Sequence, residues 1–221
     1  MFFLFLLKFY LYKLFKKIFY CAYCNYENNN FPKNICENCW QRNIIIIPFL
    51  HKFKRKKIIV YSLGRYEKML SFIIRSKYIK NQILYIDAAD KINEYWKKYN
   101  LSADYLIPVP QHRIKRSNRW FNHASIISEE LGNMIHVPVY NNLISIKNKK
   151  SQVEFTIAER KKQTEDIFYL EKKYYLDLED KNICIIDDVY TTGATIQAIL
   201  NSLKDVKYKS IFIFVIARKN F

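Results

Sequence analysis

Glycine and proline are scarce in this chain, three and five in 221 residues. Long disordered linkers are rich in such residues, so none is expected. No internal repeat recurs, which argues against a repeat array. No run of about 20 apolar residues is present, the length a spanning helix requires. Met1–Leu7 is apolar, but Lys8, Lys13, Lys16 and Lys17 then interrupt. A signal peptide carries its charges before the apolar run, not after it. A cytoplasmic location is therefore the expectation. Negative charge is in deficit, with 20 Asp and Glu against 37 Lys and Arg, for a net +17. That excess favours polyanionic partners, either nucleic acid or an anionic membrane surface. A genome biased toward Lys, Asn and Ile codons accounts for it equally well.

Half of the residues are hydrophobic, enough for one α/β domain with a small appendage. The expected organisation is a helix over 1–20, a zinc ribbon or knuckle over 21–50 and the main domain over 51–221. In the first helix Lys13, Lys16 and Lys17 share one side, and aromatics and Leu cover much of the rest. It either lies on an anionic inner leaflet or packs on the body of the protein.

Cysteine is used in pairs. Cys21-Ala-Tyr-Cys24 is followed, eleven residues on, by Cys36-Glu-Asn-Cys39. Two tight thiolate pairs can complete a tetrahedral zinc site. The polar stretch 25–34 has no core of its own, so metal would organise it. Disulfides are the weaker reading in a cytoplasmic chain. Four protein ligands leave no open position, so the zinc is structural. Cys184 lies in an apolar run and reads as a core residue.

Alternating periods indicate a parallel α/β sheet. Strands are expected at Ile44–Ile47, Ile58–Ser62, Tyr105–Ile107, Ile183–Ile186 and Ile211–Ala217, with another starting at Val137 and Val139. Helices are expected over Tyr66–Ile74, Ala88–Trp96 and Asn122–Ile135. Residues 145–166 have no clear period and read as a mobile loop.

The most informative stretch is Ile183–Thr195, Ile-Cys-Ile-Ile-Asp-Asp-Val-Tyr-Thr-Thr-Gly-Ala-Thr. Four consecutive apolar residues suit a strand buried on both faces. Asp187 and Asp188 follow where that strand is expected to end, the place where open α/β sheets bind ligands. There they can accept hydrogen bonds from ribose hydroxyls. Thr191, Thr192 and Thr195 add hydroxyl donors, and Gly193 lets the backbone approach closely. A helix follows, and its first amides can hold a phosphate. Together these make a site for a phosphorylated sugar. A second basic loop, Leu106-Ile-Pro-Val-Pro-Gln-His-Arg113, continues through Lys115, Arg116 and Arg119. Beside the first, it can hold a pyrophosphate.

The Ile183–Thr195 string resembles the 5-phosphoribosyl pyrophosphate (PRPP) signature of type I phosphoribosyltransferases. Tyr190 departs from it, standing where a smaller aliphatic residue is usual, and would narrow the pocket or weaken binding. The Pro-Val-Pro loop with Arg119, Phe121 and Asn122 resembles the matching segment of the ComF family, the competence-associated branch. Trp120 replaces its usual Gly; the indole fills space near the loop or stacks on a base. In 145–166, Gln152 and Arg160 match that family, and Gln163 stands for its Asn. By resemblance this segment is a hood that closes over PRPP and excludes water.

The resemblance spans nearly the whole chain. It implies a type I phosphoribosyltransferase-like parallel sheet flanked by helices, behind a small zinc-binding module. It implies that Asp187, Asp188, Thr191, Thr192, Gly193, Ala194 and Thr195 bind PRPP, with Mg²⁺ carried in on the ligand's oxygens. Arg113, Arg116 and Arg160 would neutralise the leaving pyrophosphate. The implied role is natural transformation, handling incoming single-stranded DNA on the cytoplasmic side, with a competence helicase as a further partner. No catalytic Cys stands at the N-terminus, so an amidotransferase is not expected.

Two functions compete. In the first, a DNA-uptake protein grips phosphates with Lys54, Arg55, Arg119 and Lys149, while bases stack on Trp120 and its aromatic neighbours. In the second, a metabolic phosphoribosyltransferase joins ribose 5-phosphate to a nucleobase or amine. A PRPP-responsive binder without turnover is a third. The sequence leaves open whether the chain is an enzyme; as one it would be a PRPP-dependent phosphoribosyltransferase.

Overall fold

A computed structural model describes residues 20–26, 33–46, 48–54, 56–76, 82–110, 122–141, 144–146 and 168–219. The chain divides into two compact units, Met1–Arg42 and Asn43–Phe221. The expected helix over 1–20 lies outside the described residues except for Tyr20.

In the larger unit five strands form one sheet. They are β1 (Phe49–Phe53), β2 (Lys56–Arg65), β3 (Tyr105–Pro108), β6 (Asn182–Tyr190) and β7 (Ser210–Arg218), in the order β1-β2-β7-β6-β3. Strands β2, β7, β6 and β3 run parallel, and only β1 is antiparallel, joined to β2 by a tight turn. A separate two-stranded antiparallel ribbon is made by β4 (Ile144–Ile146) and β5 (Phe168–Leu170).

The central strands are apolar because both of their faces are covered. Ile183, Cys184, Ile185 and Ile186 are fully buried, as are Ile213–Ala217. Successive side chains point to opposite faces. Ile183, Ile185, Ile213 and Val215 join the core with Ile196, Ile199 and Leu200 of the helix Ala194–Ser202. On the other face Phe214 stacks on Tyr61, and Phe212 packs on Trp96 of the helix Ile83–Lys98. Each such aliphatic contributes about 1.5–3 kcal/mol by leaving water. In chain order the described helices are α1 (Glu37–Asn43), α2 (Lys68–Arg75), α3 (Ile83–Lys98), α4 (His123–Ile135) and α5 (Ala194–Ser202). Cys184 is a core residue as expected, and burial pushes its thiol well above the ordinary value.

Four expectations are corrected. Residues 44–46 form no strand, and the strand begins beyond Pro48, at Phe49. Phe-Leu-His-Lys-Phe alternates inward and outward, but two charged or polar residues in five concealed it within the basic run. Val137 and Val139 begin no strand. Pro138 has no amide to give a ladder, and the segment makes only a single bridge, between Val139 and Leu106. Residues 145 and 146 belong to β4 rather than to a loop. Finally, β6 does not stop at Ile186 but runs on through the acidic pair to Tyr190.

Candidate functional site

In the smaller unit the four cysteine sulfurs all lie within 4.8 Å of one another. Cys21 and Cys39 sulfurs are 3.9 Å apart, and those of Cys24 and Cys36 are 3.8 Å apart. A tetrahedron of Zn–S bonds of about 2.3 Å has edges of about 3.8 Å. Two edges of the cluster already match that spacing, and the four sulfurs are close enough together to hold a metal ion. The backbone builds it: Asn25 N donates to Cys21 O at 2.9 Å, closing the first pair in a turn. Cys39 lies in the first turn of α1, which follows Cys36 directly. Burial raises the Cys21 thiol, but amides of Cys24, Cys36 and Tyr23 outweigh it and bring the pKa to about 7. Burial pushes Cys36 and Cys39 up. Ile35 and Trp40 are buried nearby in the sequence, a very small core for a free-standing unit.

In the larger unit, Asp187 and Asp188 occupy the carboxyl-end half of β6, both half-buried, between β7 and β3 in the sheet. The Asp188 amide donates to Asp187 Oδ1 at 2.8 Å. Thr191 and Thr192 are exposed, Gly193 is buried, and Ala194 and Thr195 are exposed at the start of α5. Gly193 has φ +79°, a left-handed conformation that L side chains rarely adopt. It brings no side chain to cap α5, and Gln197 N donates to its carbonyl at 2.8 Å. Thr192 Oγ1 accepts from the Ala194 amide at 3.3 Å. The result is a hydroxyl-lined helix start directly beyond two carboxylates.

The basic loop 111–121 lies outside the described residues, and with it Arg113, Arg116, Arg119 and Trp120. Its two ends are described. Pro108 pairs with Ile186, and Val109 N donates to Ile186 O at 2.9 Å, so the loop departs beside the acidic pair. Asn122 closes it: Nδ2 donates to Val109 O at 2.9 Å, while Oδ1 accepts from Ala124 N at 3.1 Å as the cap of α4. Lys149 and Arg160 likewise fall in 147–167, outside the described residues. The β4–β5 ribbon brings the ends of that segment together, with Ile146 opposite Phe168. Phe168 and Leu170 sit in the same core cluster as the apolar face of α5.

Lys54 is exposed in the β1–β2 turn at φ +51°, its ammonium 5.4 Å above the Phe53 ring. Arg55 is outside the described residues. Lys52 and Lys57 stand opposite each other across the hairpin, both exposed. Lys56 Nζ is 5.1 Å from the centre of the Tyr208 ring.

His51, Gln197 and Arg218 were not legible as site residues. His51, on β1, is 8% exposed; its Nδ1 lies 2.8 Å from the Tyr190 hydroxyl and its Nε2 3.2 Å from Gln197 Oε1. Burial lowers its pKa, and the bond to Gln197 opposes that shift. Arg218, opposite Tyr190 in the β6–β7 register, holds its guanidinium carbon 3.8 Å from the centre of the Phe49 ring. That ring meets Tyr190 edge-on at 4.9 Å. Burial raises the Tyr190 pKa, and the charge of Arg218 works against it. The one sequence signal was His51's inward place in an alternating strand.

No family model matches the chain. Competence protein F of Haemophilus influenzae is 23% identical over 93% of this chain and 87% of its own length. Competence protein ComFC of Bacillus subtilis is 31% identical over 49% of this chain and 41% of its own. The ComFC of Streptococcus pneumoniae is 28% identical over 69% of this chain and 64% of its own. Among solved structures, a purine phosphoribosyltransferase from Pyrococcus horikoshii is similar at 19% identity and a TM-score of 0.40, covering 61% of this chain and 82% of that one. An adenine phosphoribosyltransferase is similar at 13% and 0.43, covering 82% and 89%. Among the described residues no helix is long and apolar enough to cross a membrane. The clustered cysteine pairs, the largely parallel sheet and the competence proteins among its curated relatives all support the resemblance of this chain to the ComF family.

Proposed function

We propose that this chain is a DNA-uptake protein that binds PRPP at the carboxyl end of β6 and single-stranded DNA on its basic surface, on the cytoplasmic side during natural transformation. The observation that carries the reading is the juxtaposition of Asp187 and Asp188 with the helix start at Gly193–Thr195. Carboxylates accept from ribose hydroxyls, and the loop amides and threonine hydroxyls donate to a phosphate. Mg²⁺ enters with the ligand, because pyrophosphate and ribose oxygens suit a hard cation. Arg113 and Arg116, in the loop that departs beside Asp187, and Arg160 neutralise the pyrophosphate. Zinc on Cys21, Cys24, Cys36 and Cys39 orders the smaller unit. For DNA, the exposed Lys54 with Arg55, Arg119, Trp120 and Lys149 supplies phosphate contacts and a stacking surface.

The test is calorimetric titration of PRPP with Mg²⁺ into the zinc-loaded protein, beside the Asp187→Asn/Asp188→Asn variant. Binding by the wild type and none by the variant, with equal melting temperatures, is expected. Equal affinity in the two would remove the pocket assignment. Incubation with PRPP and a panel of nucleobases then separates a transferase from a binder. DNA affinity should fall about 10³–10⁵-fold between about 50 and 200 mM salt if about 6–10 phosphates are contacted.

A further inference from the structure

The phosphate loop of this chain is tied to a strand that lies outside its own motif. Tyr190 ends β6, Gln197 sits in the first turns of α5, and His51 comes from β1, at the far edge of the sheet order. The imidazole bonds to both, at 2.8 Å to the Tyr190 hydroxyl and 3.2 Å to Gln197 Oε1. A carboxamide oxygen only accepts, so Nε2 carries the proton; burial disfavours the charged ring, which leaves Nδ1 to accept from the phenol. The chain of bonds therefore has one direction, from Tyr190 through His51 to Gln197, with the imidazole neutral.

These groups lie against Gly193. A Cβ built there would overlap the Tyr190 hydroxyl and come within 2.9 Å of His51 Cε1. The tie thus occupies the side of Gly193 where any other residue would carry its side chain, while Gln197 N holds the Gly193 carbonyl at 2.8 Å. Three elements are locked around one left-handed residue, and the direction of the following amides depends on it.

We propose that Tyr190 and His51 are positioning residues for the phosphate loop: with Gln197 they hold Gly193, and hence the amides that follow it, in the geometry that receives the monophosphate end of a phosphoribosyl ligand. This rests on the reading of the loop as a phosphoribosyl site. On this account Tyr190 is a strut of the pocket rather than an obstruction in it.

The test uses ribose 5-phosphate and inorganic pyrophosphate as separate probes on the zinc-loaded full chain. Tyr190→Phe and His51→Ala should each weaken ribose 5-phosphate about tenfold, the scale of one lost hydrogen bond in a positioned network. Pyrophosphate affinity should not change. The double variant should be no worse than either single one, because the tie is already broken. Nitrogen NMR of the His51 ring should show Nε2 protonated and Nδ1 bare in the wild type, and a shifted Nδ1 in Tyr190→Phe. If the wild type binds ribose 5-phosphate and both variants bind it equally well, the tie has no positioning role. Additive losses that extend to pyrophosphate and follow the melting temperature would also overturn it, as a general weakening of the fold. If the wild type takes neither PRPP nor ribose 5-phosphate, the phosphoribosyl reading itself fails and the positioning role falls with it, even where the NMR signature of the tie is present.

Discussion

Tyr190 and His51 are 139 positions apart in the chain, yet the phenol hydroxyl and the imidazole Nδ1 meet at 2.8 Å. The bond fastens the edge strand β1 to the end of β6, where the candidate phosphate loop begins.

A pH dependence follows from the burial of His51. Burial lowers its folded-state pKa below the ordinary 6.5. The neutral form is therefore favoured in the fold, and the unfolded chain binds the extra proton first. The stabilisation is complete above 6.5 and is lost as pH falls from there through the folded-state value. Urea unfolding between about pH 5 and about pH 7 should show stability rising with pH, and His51→Gln should flatten that rise. An unaltered slope in the variant would show that other groups are responsible.

Gly193→Ala should destabilise the protein. The φ of +79° is unfavourable for any L side chain, and the new methyl meets Tyr190 and His51. A cost of about 1–3 kcal/mol is expected from the backbone alone, read as a lower denaturation midpoint. Adding Tyr190→Phe removes the hydroxyl that overlaps the methyl and should recover part of the loss. A Gly193→Ala protein as stable as wild type would contradict the loop geometry.

Removing metal should act locally. The four sulfurs lie within 4.8 Å of one another, and Ile35 with Trp40 forms almost all of the buried apolar surface described around them. Structural zinc contributes on the order of 10–16 kcal/mol in comparable small modules. Cys39→Ser or a strong chelator should abolish the bound metal and the protection of amides in 20–42 against hydrogen exchange. Amides of β6 and β7 should keep theirs, because their core is made within the larger unit. Cobalt substitution should give the intense absorption of a four-thiolate site; its absence would contradict the ligand set.

The hairpin cations give a separate handle on DNA. Lys54 and Lys56 lie over aromatic rings at opposite ends of the β1–β2 turn. If both meet phosphates, Lys54→Ala/Lys56→Ala should weaken single-stranded DNA uniformly across sequences and lower the salt slope by about 1.4, at about 0.7 for each lost contact. An unchanged slope would place the DNA elsewhere on the basic surface.

Much of the fold was legible because its signals are local. Ile183–Ile186 and Ile211–Ala217 are apolar without alternation, the mark of strands covered on both faces, and both are central strands. Helix α4 was legible from Ala124, Ile127 and Leu131 on one face and from Asn122 as its cap. The strands that went unread are short or edge-placed. Strand β1 carries two of its five residues as His and Lys, and β4 and β5 are three residues each. Their identity depends on a partner strand, and a partner is not a property of the segment.

The candidate site divides in the same way. The cysteine pairs, the acidic pair and the Thr-Thr-Gly loop are each local in sequence, so spacing alone made them candidates for metal and phosphate binding. What only the tertiary structure decided is how they are completed. It joins two cysteine pairs within 4.8 Å, brings the start of the basic loop beside Asp187 through the β3–β6 register, and sets His51 against Gly193. Side-chain chemistry is written residue by residue, whereas a contact across 139 positions exists only once the sheet has chosen its neighbours.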